Sequence, residues 1–168
     1  PEYTYRRSNY SDGSVRLERW MKDGKMHRDN DKPAWICYNE DGSVHSEEWS
    51  KDGKRHRDND KPAFVDYRKD GSVELEHWWK DGELHRDNDM PVLIDYRKDG
   101  SVRSKTWYKD GKAYRDNDKP AYIYYHKDGS VESEEWYKNG EEYTPQKDTC
   151  NGKTVEIDGK SYKLTLIN

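Results

Sequence analysis

Branched aliphatic and phenylalanine side chains are scarce: Val, Leu, Ile and Phe supply 20 of 168 residues, and Phe occurs once. That scarcity excludes a large globular core and, taken alone, points toward disorder. No apolar run approaches the roughly 18 residues that suggest a membrane-spanning helix. The opening Pro1-Glu2-Tyr3-Thr4-Tyr5 has neither an initiating Met nor a basic-then-apolar leader pattern. Cysteine is nearly missing. Cys37 and Cys150 are far apart and only Cys37 falls in a repeated segment, so reduced thiols and a cytoplasmic location are expected. Charge is abundant but not of one sign, with 31 basic against 35 acidic residues and a formal net charge of -4. That balance argues against nucleic acid as the main partner.

What the chain does have is aromatic and periodic. It carries 7 Trp and 14 Tyr, enough ring area to build a thin core spread along a sheet. Asp-Gly-Ser starts at Asp12, Asp41, Asp70, Asp99 and Asp128, a period of 29 residues. Trp follows at Trp20, Trp49, Trp78, Trp107 and Trp136. A second turn signal comes at Asp23-Gly24, Asp52-Gly53, Asp81-Gly82, Asp110-Gly111 and Asn139-Gly140, then His27, His56, His85, Tyr114 or Tyr143. Arg-Asp-Asn-Asp begins at Arg28, Arg57, Arg86 and Arg115, and Pro33, Pro62, Pro91 and Pro120 close the unit. The fifth copy reads Thr144-Pro145 instead, which marks the end of the array.

Each period reads as strands and turns. In Ala63-Phe64-Val65-Asp66-Tyr67, alternation places Ala63, Val65 and Tyr67 on one face. Lys69-Asp70-Gly71 suits a three-residue loop with Gly left-handed, which predicts Tyr67 opposite Val73 and Val65 opposite Leu75. Asp81-Gly82 suits a two-residue loop. It predicts Lys80 opposite Glu83, Trp79 opposite Leu84 and Trp78 opposite His85, making the His or Tyr a stacking partner for the Trp. Val73 and Trp78 are five apart and would face opposite ways in a regular strand. Either a bulge intervenes or both sheet faces are partly covered.

The sequence therefore predicts an all-β, elongated antiparallel sheet of tandem β-hairpin repeats with terminal caps. Residues 1–11 are expected to form an N-terminal cap strand, 12–145 five repeats, and 146–168 a C-terminal capping hairpin. Three short strands per unit are thin for the blades of a closed propeller.

The unit Trp107-Tyr108-Lys109-Asp110-Gly111-Lys112, with His56-Arg57-Asp58-Asn59-Asp60-Lys61-Pro62-Ala63, resembles divergent MORN-type repeats, in the variant seen in uncharacterised proteins of large DNA viruses, phages and bacteria. The resemblance spans about residues 12–145; the standard MORN unit is shorter and carries a further Gly-x-Gly. It implies successive hairpins in an elongated sheet that contacts other molecules, in the host cytoplasm if the origin is viral.

Three sets of candidate residues follow. The Arg-Asp-Asn-Asp corners (Arg28, Asp29, Asp31; Arg57, Asp58, Asp60; Arg86, Asp87, Asp89; Arg115, Asp116, Asp118) read as structural loops. Their side chains would hydrogen-bond a tight backbone and each Arg would pair with an Asp of its own or a neighbouring repeat. Oxygen ligands at alternate positions could bind Ca²⁺, but no Gly or distal Glu follows in calcium-loop register; no metal or other cofactor is expected, with Ca²⁺-dependent folding the alternative. The Trp ladder (Trp20, Trp49, Trp78, Trp107, Trp136) reads as core, or else as a stacking groove for sugars. Trp35, Phe64, Leu93 and Tyr122 share a slot that stays apolar opposite the Ala-Ile-Tyr face. That slot is a second packing layer or a strip for a partner. Repetition offers multiplicity and no asymmetric catalytic constellation. The expected role is non-enzymatic: a scaffold that binds another protein, or a second copy, through its sheet surface. Glycan or small-molecule binding in aromatic clefts between repeats is the alternative.

Overall fold

The computed structural model describes residues 1–109, 111–138, 140–145 and 154–163. All regular structure among them is β. The strands are β1 (Tyr3–Asn9), β2 (Val15–Lys22), β3 (Lys25–Met26), β4 (Trp35–Tyr38), β5 (Val44–Glu48), β6 (Ser50–Lys51), β7 (Lys54–Arg55), β8 (Phe64–Tyr67), β9 (Val73–His77) and β10 (Trp79–Lys80). They continue as β11 (Glu83–Leu84), β12 (Leu93–Tyr96), β13 (Val102–Thr106), β14 (Tyr108–Lys109), β15 (Lys112–Ala113), β16 (Tyr122–Tyr125), β17 (Val131–Lys138), β18 (Glu141–Tyr143), β19 (Thr154–Ile157) and β20 (Lys160–Lys163). A 12-stranded antiparallel sheet runs β1-β2-β4-β5-β8-β9-β12-β13-β16-β17-β18, with β3 beside β2. The strands of this path follow chain order, so the array is an open meander of hairpins.

The long hairpin of each unit has the three-residue loop the sequence predicts. Arg68 N donates to Ser72 O, Gly71 N donates to Arg68 O, and Gly71 sits at φ 81, where a side chain would be strained. Asp70 Oδ1 accepts from both the backbone N and the hydroxyl of Ser72. Beyond the loop the register departs from expectation. Tyr67 opposes Val73, but Asp66 opposes Leu75 and Val65 opposes Glu76. Glu74 is the extra residue of a β-bulge. The bulge recurs at the same place in the other units.

The second turn is the tight one. Trp79 opposes Leu84 and Lys80 opposes Glu83, with Asp81 at φ 52 and Gly82 at φ 90, a type I′ hairpin. Trp78 is the pivot between the two hairpins. Its N donates to Val92 O in the main sheet, and its O accepts from His85 N in the small hairpin. Small hairpins then dock on one another: Gly53 N donates to Met26 O and Gly82 N to Arg55 O. A side chain at Gly53 would meet the Lys25 chain at 3.4 Å.

Ala34, Ala63, Val92 and Ala121 are almost fully buried, and Trp49, Trp78 and Trp107 are 6–7% exposed. Burying a Trp removes on the order of 200 Å² from water, about 5 kcal/mol before entropy is counted. Few aliphatic residues therefore suffice.

The N-terminal stretch is more than a strand laid on the end. Arg6 opposes Arg19, Arg7 opposes Glu18, and a register shift falls between Ser8 and Asn9. Trp35, Ile36 and the Cys37/Tyr38 shift make the same pattern on β5. Residues 3–9 thus occupy a repeat's first strand with polar residues in its apolar slots. At the other end, β19 and β20 form the hairpin the sequence predicts, as a separate two-stranded sheet with Ile157 and Tyr162 exposed. Cys150, Leu164, Thr165, Leu166, Asp110 and Asn139 lie outside the described residues.

Candidate functional site

Two surfaces recur along the array: the Arg-Asp-Asn-Asp corners with the clefts between them, and the row of variable apolar residues on the sheet.

Each corner is a backbone device first. Asn59 and Asp60 sit at φ 62 and 52, and Asn30/Asp31, Asn88/Asp89 and Asn117/Asp118 repeat those angles. Asn and Asp tolerate the left-handed region better than most residues, which accounts for their choice. The carboxylates then bind side chains: the expected Arg–Asp pairing is made across repeats, and it takes the place of the expected backbone bonds. Arg57 Nε donates to Asp31 Oδ1 at 2.7 Å and a terminal guanidinium N to Oδ2 at 3.2 Å. Lys61 Nζ reaches the same Oδ2 at 2.6 Å. These donors hold the Asp31 carboxyl down to about 2. Arg86 repeats the bidentate grip on Asp60, and Arg115 on Asp89. Arg57, Arg86 and Arg115 therefore each clasp the preceding repeat, while Arg28 donates to Pro33 O.

These guanidinium groups, and that of Arg28, lie on the indoles. Arg28 stands 3.6 Å from the Trp20 ring centroid, Arg57 3.7 Å from Trp49, Arg86 3.9 Å from Trp78 and Arg115 3.8 Å from Trp107. The expected His–Trp stacking is replaced by this cation–π contact. The indole N–H is also taken, since Trp49, Trp78, Trp107 and Trp136 donate to the backbone O of Asp31, Asp60, Asp89 and Asp118. Trp136 has Thr144 where the others have Arg and is only half-buried.

The histidines hold neighbouring units together instead. His27 Nδ1 accepts from the backbone N of Asp52 at 3.0 Å, while Nε2 faces Asp29 Oδ1 at 3.0 Å. His56 does the same with Asp81 and Asp58. His85 Nε2 faces Asp87, and Tyr114 OH donates to Asp116. Tyrosine can replace histidine here because the slot requires a donor toward the carboxylate. Among the described residues, no three His, Cys, Asp or Glu side chains converge as metal ligands.

Between successive corners lie clefts of about 370, 270 and 210 Å³. Trp49, Trp78 and Trp107 line them in turn, alongside the charged loops. The ring faces are already occupied by guanidinium groups, so the walls offer charge more than open aromatic surface.

On the sheet, Trp35, Phe64, Leu93 and Tyr122 fall in one unbroken row. The register runs Arg19, Trp35, Glu48, Phe64, His77, Leu93, Thr106, Tyr122, Glu135 across successive strands. By alternation this row lies opposite the Ala-Ile-Tyr face, whose Ala63, Val65 and Tyr67 pack with Trp49. All four apolar members are half-buried. Arg55 packs against Phe64 and Trp79, and Tyr122 is flanked by Tyr108 and Tyr137. His77, in contact with Phe64 at 5.5 Å between ring centroids, is pushed down to about 4 by burial and by Arg55. Nothing in the repeat pattern marks His77, because the same slot holds Arg19, Glu48, Thr106 and Glu135 in the other units.

No protein family, curated protein or solved structure matches the chain.

Proposed function

We propose that the protein is a non-enzymatic repeat scaffold that binds another protein along its extended sheet. The observation that carries this reading is the row of Trp35, Phe64, Leu93 and Tyr122, one apolar residue every second strand. Strands lie about 4.8 Å apart, so the row offers an apolar contact roughly every 10 Å. An amphipathic helix laid across the strands presents residues two turns apart at about that interval. Half-burial keeps the rings ordered, so little side-chain entropy remains to be lost on binding. The resemblance to MORN-type arrays is consistent with a contact surface of this kind and stays part of the proposal.

A second reading, glycan or small-molecule binding, draws on the recurrent clefts. The guanidinium on each indole counts against it, since a sugar would stack on that same face.

Substitution separates the two. A Phe64→Glu, Leu93→Glu double variant should lose the protein partner while Asp58→Asn, in the wall of two clefts, keeps it. Loss of a glycan ligand with Asp58→Asn, and no effect of the double variant, would favour the clefts.

A further inference from the structure

The two ends of the main sheet are complementary to each other. Among the described residues, the outer edge of β1 has no partner strand, and neither does the Val131–Glu135 part of β17. Inside the array, a strand of the β17 kind always pairs with a strand of the β1 kind. Ser104 opposes Tyr124, Lys105 opposes Ile123 and Thr106 opposes Tyr122. Carrying that register one period on, from β13 to β17, makes Ser133, Glu134 and Glu135 the exposed half of an interface. Carrying the β2–β4 register (Leu17 with Cys37, Glu18 with Ile36, Arg19 with Trp35) one period back makes Ser8, Arg7 and Arg6 the other half. Superposing the halves sets Ser133 opposite Ser8, Glu134 opposite Arg7 and Glu135 opposite Arg6.

We infer that β17 of one copy pairs with β1 of a second, continuing the sheet head to tail. The charges favour this occupant over any other strand. Interior interfaces place apolar residues where β1 carries two arginines, and β17 presents carboxylates at the matching positions. Charged edges ordinarily block sheet growth by mutual repulsion. Here the two edges are of opposite sign, so each repels its own kind and accepts the other. Directly opposite ion pairs on antiparallel strands are favourable and like charges unfavourable.

The contact is confined to this strand segment. Asp23 N, whose counterparts Asp52 and Asp81 donate to a histidine of the preceding repeat, already donates to Glu2 O. The docking of small hairpins is therefore not reproduced between copies, and association is reversible and weaker than the interior interfaces. A heterologous contact of this kind does not close on itself as a twofold dimer; it generates rows of copies. It uses the edges and is independent of the proposed binding row.

Sedimentation equilibrium tests it. The mass of the chain should rise with concentration through successive multiples and fall as salt is added. Arg6→Glu with Arg7→Glu should weaken association by roughly tenfold or more, and so should Glu134→Arg with Glu135→Arg. An equimolar mixture of the two variants should restore it, because each now carries the edges the other lacks. Recovery on mixing cannot come from misfolded protein. A chain that stays monomeric throughout, an association unmoved by either double variant, or a mixture no larger than its components would overturn the inference.

Discussion

Arg57 grips Asp31, 26 residues back in the chain, through two nitrogens while its guanidinium lies 3.7 Å above the Trp49 ring. One side chain thus joins two repeats and covers the core residue between them. Its third contact, to Pro62 O, fixes the strand that follows. Arg57→Ala is expected to lower stability by about 2–3 kcal/mol in urea denaturation, since a charged bond and a cation–π contact go together. Arg57→Lys should recover only a small part, because a point charge supplies neither the fork nor the plane.

Asp31→Asn keeps the left-handed backbone and removes only the charge. With the carboxylate partly in solvent, the loss should be about 0.5–1 kcal/mol. The folded carboxyl titrates at about 2 against an ordinary 3.8. Its contribution is thus present above pH 4 and is lost as pH falls toward 2. The acid limb of a stability profile should be shallower in the variant over that interval.

His77 acts at milder pH. Burial holds its folded value to about 4 against an ordinary 6.5, so the folded state prefers the neutral ring. Stability is fully present above pH 6.5 and declines as pH falls through that window, by about 2–3 kcal/mol at pH 4. Thr106 fills the equivalent slot one unit on, so His77→Thr should flatten the melting temperature between pH 4 and 6.5. A slope unchanged in the variant would remove His77 as its source.

The corner backbone gives a sharper contrast. Asn59→Ala should cost about 1–2 kcal/mol and Asn59→Gly close to nothing, because φ 62 disfavours a Cβ and not the amide's absence. The same pair of changes at Asn88 should behave alike.

Much of the fold was legible because glycine and the Asp before it fix turn type locally. The short loop and the Trp79–Leu84 pairing follow from that chemistry; the three-residue length of the other loop also needed Tyr67 to face an apolar partner, Val73. The spacing of Val73 and Trp78 signalled a bulge, and Glu74 supplies it; the pairings beyond Tyr67 were misread by one residue because Glu also suits a regular edge, so nothing placed the bulge at that position. The His slot suggested stacking because Tyr replaces it; the shared property is a donor aimed at a carboxylate. β1 escaped detection as a repeat strand because Arg6, Arg7 and Asn9 fill slots that are Trp, Ile and Tyr in the next unit. Its backbone register is preserved while its side chains serve an edge.

Binding of a partner through the apolar row is read directly by site-specific photo-crosslinking. A photo-reactive phenylalanine would be placed at Phe64 or Tyr122, and for comparison at Lys69 or Lys127 in the exposed loops. In cells expressing the protein, the two row positions should give discrete protein adducts and the loop positions none. Adducts from the loops alone, or none from the row while the chain still captures its partner, would contradict it.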